Sequence, residues 1–150
     1  MKNCKIKVYF DMDGTIANLY QVPQWLERLR ALDPMPYYEA KPIGNMSQLS
    51  YILNKLQKAG VKVGIISWLP MGENPDYDNK VRIKKRKWLE KHLHSVEWDE
   101  IHLVKYGTPK HLVIKDKDSI LFDDNADVRR RWKGKAYTEK EIITILKGLL

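Results

Sequence analysis

The sequence predicts an α/β domain built on a mainly parallel sheet, a Rossmann-like three-layer sandwich. Short runs rich in β-branched and aromatic residues alternate along the chain with longer segments of helical periodicity. Two of these runs, at 6–10 and 119–124, lead into or end in closely spaced aspartates. Sites in open parallel sheets lie beyond the carboxyl ends of the strands, so charged residues belong there. Right-handed crossovers between parallel strands put helices on both faces.

Each element follows from local chemistry. Residues 6–10 read as the first strand, with Asp11, Asp13, Gly14 and Thr15 directly beyond it. Residues 18–44 are less regular and lie within a small insert at about 16–44. Pro23 opens a short helix with Trp25, Leu26, Leu29 and Leu32 on one side, and Pro34 and Pro36 stop it. Asn45 caps the next helix, with Gln48 three residues on; Leu49, Ile52, Leu53 and Leu56 form its buried face and Gly60 ends it. "VKVGIIS" (61–67) is the second strand, and 69–79 has the composition of a loop. A strongly basic helix spans roughly 79–94. Strands follow at 100–105, 119–124 and 135–138. Thr138 and Glu141 make a capping box for a last helix with Ile142, Ile145, Leu146 and Leu149 on its apolar face.

At 150 residues the chain suffices for one domain with its own core. A net charge of +8 favours anionic partners such as phosphate esters. Cys4 is the only cysteine, which excludes an internal disulfide and suits a reducing, cytoplasmic setting. The apolar run after Lys7 is too short for a signal peptide, and nothing approaches a membrane span. Neither feature decides the oligomeric state.

The strand-end residues carry the chemistry. Asp11, Asp13, Ser67, Asp123 and Asp124 converge on one small volume if their strands are neighbours. Crowded carboxylates repel one another and need a counter-charge. A hard divalent cation with oxygen ligands supplies it, and Mg²⁺ takes one or two carboxylates plus a substrate phosphate. A carboxylate there can act as a nucleophile, and a second, two positions on, projects from the same side of an extended chain. A lone D-x-D is usually a surface turn, but "DMDGT" directly after an apolar strand is a more specific signal. Asp123 and Asp124 either cap a helix starting near Asn125 or hold the metal, and Asp127 either supports them or complements that helix end.

This set resembles the haloacid dehalogenase superfamily of phosphohydrolases. The first motif, DxDGT, stands intact at residues 11–15; Ser67 in "GIIS" matches the second and Asp123-Asp124 in "LFDD" the fourth. The resemblance implies a Rossmann-like core, Mg²⁺ and an aspartyl-phosphate intermediate. It makes Asp11 nucleophile and metal ligand, and Asp13 general acid/base with its carbonyl on the metal. It puts Thr15, Ser67 and Trp68 at the transferring phosphoryl group, and Asp123 on the metal with Asp124 or Asp127 in support. The third motif is a lysine. Lys110, after Pro109 at a helix start, is the choice, with Lys105 second. The 16–44 insert occupies the first cap position and is small, which leaves the site open. Its Tyr20, Trp25, Tyr37 and Tyr38 either stack on a nucleobase or form the insert's own core.

The basic helix holds Lys80, Lys84, Lys87 and Lys91 along one stripe, opposite Val81, Trp88, Leu89 and Leu93. A solvated face is the usual meaning of such a run. A phosphate-backbone track would instead suggest a nucleic-acid end phosphatase. A small phosphate monoester such as a nucleotide is the leading substrate, with the nucleic-acid end as the alternative. A catalytically silent phosphoryl-binding module is the rival from another class.

Overall fold

The computed structural model describes residues 6–150; Cys4 lies outside them. Five parallel strands form the sheet in the order β5-β4-β1-β6-β7: β1 Lys7–Phe10, β4 Lys62–Trp68, β5 Glu100–Val104, β6 Ser119–Phe122 and β7 Lys135–Tyr137. β1 is central because both of its faces are apolar: Val8 and Phe10 point to one, Tyr9 to the other, and all three are buried.

The two faces carry different helices. α3 (Met46–Lys58), the C-terminal half of α4 (Pro75–His92) and α7 (Ile142–Leu149) cover the first, where Leu53, Leu56, Trp88 and Leu146 pack on Val8 and Phe10. α5 (Lys110–Val113) and α6 (Ala126–Arg131) flank the second, where Tyr9, Ile66, Leu121 and Trp132 form a smaller core. The predicted caps are present. Asn45 accepts from Gln48 N–H at 3.0 Å, and Thr138 and Glu141 form their box on a 3₁₀ turn that leads into α7.

Two boundaries differ from the sequence reading. α4 starts at Pro75 rather than near Asn79, because the Asn74 side chain accepts from Tyr77 N–H and Pro75 takes the first helical position. The loop is therefore shorter, and Tyr77 and Asp78 become buried helix residues. In the segment after β1, Pro36 does not merely stop a helix. It begins a second one, α2 (Pro36–Glu39), while α1 (Trp25–Arg30) has already ended before Leu32, which is left-handed at φ 63°. Two short strands absent from the sequence reading, β2 (Ala17–Asn18) and β3 (Lys41–Pro42), pair antiparallel and close the base of this segment.

Candidate active site

After β1 the chain winds to β4 and β5 on one side, then crosses back to β6 and β7 on the other. The tips of β1 and β6 therefore bound the crevice where the winding reverses. Asp11 N–H donates to the Phe122 carbonyl at 2.9 Å, adding one bond to the ladder and fixing the first acid against β6. The loop beyond it is tight. Met12 C=O accepts from the N–H groups of Thr15, Ile16 and Ala17 at 3.0, 3.0 and 2.9 Å. Gly14 turns it at φ 84°, and a Cβ there would fall within 2.8 Å of Asp124 Cγ.

The acids converge. Carboxylate oxygens of Asp11, Asp123 and Asp124 lie within 4.8 Å of one another. Lys110, buried in the first turn of α5, donates to Asp11 Oδ1 at 3.0 Å and to Asp123 Oδ2 at 2.7 Å. Its ammonium lies 5.3 Å from the centre of the Trp68 ring. Lys105, at the end of β5, is exposed and makes neither contact. Asp127 stays out of the cluster, paired on the surface of α6 with Arg130 and Arg131. Asn125, rather than either acid, caps α6, accepting from the N–H groups of Asp127 and Val128.

Of the three residues expected at the phosphoryl group, Trp68 lines the cleft, while Thr15 and Ser67 are buried behind it. Thr15 is fully buried with its hydroxyl 3.1 Å from both Asp11 Oδ2 and Asp124 Oδ1, and its N–H is taken by Met12, so it fixes the loop rather than facing the cleft. Trp68 lines the cleft, but its indole N–H donates to Thr108 C=O at 2.8 Å, leaving the ring as wall. Ser67 is fully buried, off the cleft wall, and its Oγ accepts from Lys85 at 2.8 Å.

Lys85 is the site residue that the sequence reading passed over. It lies on the buried face of α4 with Val81, Trp88 and Leu89, and its ammonium donates to Asp13 Oδ2 at 2.9 Å, Ser67 Oγ and Trp68 C=O. The signal was available: a lysine four residues after Val81 and three before Trp88 occupies an apolar-stripe position, where a charge needs a partner.

The acids outweigh the cations. Burial pushes Asp123 up to about 6, helped by the charge of Asp11 and opposed by Lys110. Asp124 reaches solvent on one side, yet partial burial and then Asp11 push it to about 7. Burial also raises Asp13, with Asp11 adding and Lys85 opposing. Around Lys110, burial works against the charge, but Asp11 and Asp123 outweigh it and hold the ammonium above its ordinary range. An all-oxygen cluster in which Asp123 and Asp124 are driven toward protonation lacks positive charge. These residues fit a hard divalent cation.

A cleft of about 300 Å³ opens over the acids. Apart from Asp11, Asp13, Asp123, Asp124 and Lys110, its wall is largely apolar and aromatic, with Tyr20, Trp25, Leu26, Trp68, Met71 and Tyr106. Of the aromatics named in the 16–44 segment, Tyr20 and Trp25 line the cleft and meet edge to face at 5.0 Å. Tyr37 is buried and also reaches the cleft, with its ring 5.1 Å from the Lys85 ammonium. Tyr38 lies outside the cleft wall, beneath Lys91.

No family model matches the chain, and no curated protein matches it. Solved structures do. One is a D,D-heptose 1,7-bisphosphate phosphatase from Burkholderia thailandensis, at 14% identity and TM-score 0.48, over 84% of this chain and 70% of that one. Another is the HAD domain of the effector protein Lem4 from Legionella pneumophila, at 14% identity and TM-score 0.45, over 95% of this chain and 93% of that one.

Proposed function

We propose that this chain is a Mg²⁺-dependent phosphomonoester hydrolase of the haloacid dehalogenase class. One observation carries the reading: the acid pair of DMDGT stands at the tip of the central strand, against Asp123, Asp124 and a buried Lys110. Asp11 attacks phosphorus, the bond to the leaving oxygen breaks, and an aspartyl phosphate forms. Asp13 gives its proton to that oxygen, then takes one from the water that hydrolyses the intermediate. Lys110 holds Asp11 in place and offsets charge on the transferring group. Asp11, the Asp13 carbonyl, Asp123 and Asp124 are the ligands we assign to Mg²⁺. When bound, the ion supplies the positive charge that lets an anionic phosphate approach these carboxylates.

The substrate we favour is a small phosphate monoester, and specifically a nucleotide. Tyr20, Trp25 and Tyr106 on the cleft wall support it, because such rings can stack on a flat base. The 16–44 segment, through Tyr20 and Trp25, acts in this reading as a small cap. The setting is cytoplasmic. Among the described residues no helix is long and apolar enough to cross a membrane.

The nucleic-acid end reading draws on the lysine stripe of α4, where Lys80, Lys87 and Lys91 are exposed and Lys84 is half-buried. Two of the four are engaged locally, Lys80 near Asp76 at 3.8 Å and Lys91 over Tyr38, which favours a solvated face. The intact pair Asp11 and Asp13 argues against a silent module. The test is hydrolysis of 4-nitrophenyl phosphate and of a nucleotide panel. Chelation should abolish turnover and Mg²⁺ should restore it. Full activity in excess chelator would sink the assignment.

A further inference from the structure

We infer that Lys85 is the positioning residue of the proton-transfer carboxyl, an inference that rests on the phosphatase reading above. The ammonium is fully buried, so each of its three protons needs an acceptor. Two acceptors belong to the end of β4: Ser67 Oγ at 2.8 Å and the Trp68 carbonyl at 2.8 Å. These are part of the sheet, and they hold the ammonium at a fixed point. The third proton reaches Asp13 Oδ2 at 2.9 Å. On the other side the Tyr37 ring lies 5.1 Å from the ammonium.

This arrangement sets the two oxygens of Asp13 apart. Oδ2 is pinned by the lysine, while Oδ1 has no hydrogen-bond partner among the described residues. Asp13 lines the cleft, whereas Lys85 and Ser67 lie behind it. Oδ1 is therefore the oxygen that carries the proton to the leaving group. Lys85 acts through Asp13 and does not itself meet the substrate. It is distinct from Lys110, which binds Asp11 and Asp123 on the far side of the acid pair.

Ser67 takes a different part in this scheme from the one its position suggested. With its Oγ accepting from Lys85 and its surface buried, it anchors the lysine. The sheet end, the lysine and the acid form one chain of contacts from β4 to the cleft.

The test is a double-mutant cycle on hydrolysis, with Lys85→Met, Asp13→Asn and the double variant, read on phenyl phosphate and on 4-nitrophenyl phosphate. Lys84→Met, one residue away and outside the site, is the control and should turn over like the parent. Lys85→Met should lower kcat/KM on phenyl phosphate, which reads the step in which the leaving group departs, by about 10²-fold. The loss on 4-nitrophenyl phosphate should be markedly smaller, because its leaving group needs less help from an acid. In the Asp13→Asn background the same substitution should cost no more than a few-fold, since the group it positions has gone. A general structural defect lowers both substrates by one factor, and its cost persists in either background. Equal losses on the two esters, or losses that multiply in the double variant, would overturn the assignment while leaving the phosphatase reading intact. If Lys85→Met does not fold, Lys85→Gln enters the same cycle under the same criteria. An inactive parent protein on every ester would remove the phosphatase reading, and this inference with it.

Discussion

Replacing Lys110 with methionine tests the electrostatics of the site most directly. The ammonium is almost completely buried and donates to Asp11 Oδ1 and Asp123 Oδ2, themselves buried. Methionine keeps most of the volume and the contact with the Trp68 ring, but leaves two carboxylates facing each other without a cation. Breaking a buried pair by removing one partner costs about 3–5 kcal/mol. For a domain of this size, a kilocalorie moves the melting temperature by roughly 2–4 °C, so the metal-free variant should melt about 6–20 °C lower at about pH 7.5. The pH dependence has a definite sign. Asp123 is already raised to about 6 in the folded state. A carboxyl raised on folding contributes stability that is present at acid pH and disappears as pH climbs through its folded value. Removing Lys110 takes away a cation that opposes this rise, so the window moves upward. The deficit should therefore be large at about pH 7.5 and shrink at about pH 5, where Asp123 accepts a proton. Mg²⁺ should stabilise the variant by more than it stabilises the parent, because the cation then supplies the missing charge. Thermal melts with chelator and with Mg²⁺, at both pH values, read all of this. A variant that melts within about 2 °C of the parent in chelator at about pH 7.5, well under the shift expected for a broken buried pair, would refute the reasoning.

Other substitutions separate the remaining roles. Asp11→Asn should leave no acid-labile phosphoenzyme after quenching with a labelled ester; a label that persists rules out Asp11 as the nucleophile. Asp13→Asn should retain the fold and lose about 10²–10⁴-fold in turnover, the range for a lost general acid/base. Gly14→Ala puts a Cβ against the Asp124 carboxylate at a positive φ, so Mg²⁺ affinity, measured by titration calorimetry, should fall clearly; unchanged affinity would show that the loop adapts. Replacing Lys80, Lys84, Lys87 and Lys91 together with glutamine should alter mononucleotide and oligonucleotide turnover weakly and alike, through long-range steering. Selective loss of oligonucleotide binding, with a flatter salt dependence, would instead promote the nucleic-acid end reading.

Much of this protein is written in local sequence. Alternating apolar runs and helical stripes determine the strands and main helices, because a strand or an amphipathic helix needs only its own period to declare a buried face. Caps such as Asn45 and the Thr138–Glu141 box are equally local, spanning three residues. The DMDGT loop, with a glycine where the backbone turns left-handed, marks the site for the same reason.

Long-range chemistry resisted that reading. Whether Lys105 or Lys110 meets the acids depends on where β5 and α5 end relative to β1, which lies about a hundred residues away in sequence; the structure brings Lys110 to Asp11 and leaves Lys105 in solvent. Asp124 and Asp127 are separated by three positions, yet one turns toward Asp11 and the other toward Arg130 and Arg131, because Asn125 starts α6 between them. Lys85 carries the same lesson further. Among many basic residues in one helix its composition says nothing, and only docking of α4 against β4 and α2 turns a lysine on an apolar stripe into a fully bonded cation. A buried charge is stable only where its partners arrive from other elements, and those partners are assembled by tertiary packing.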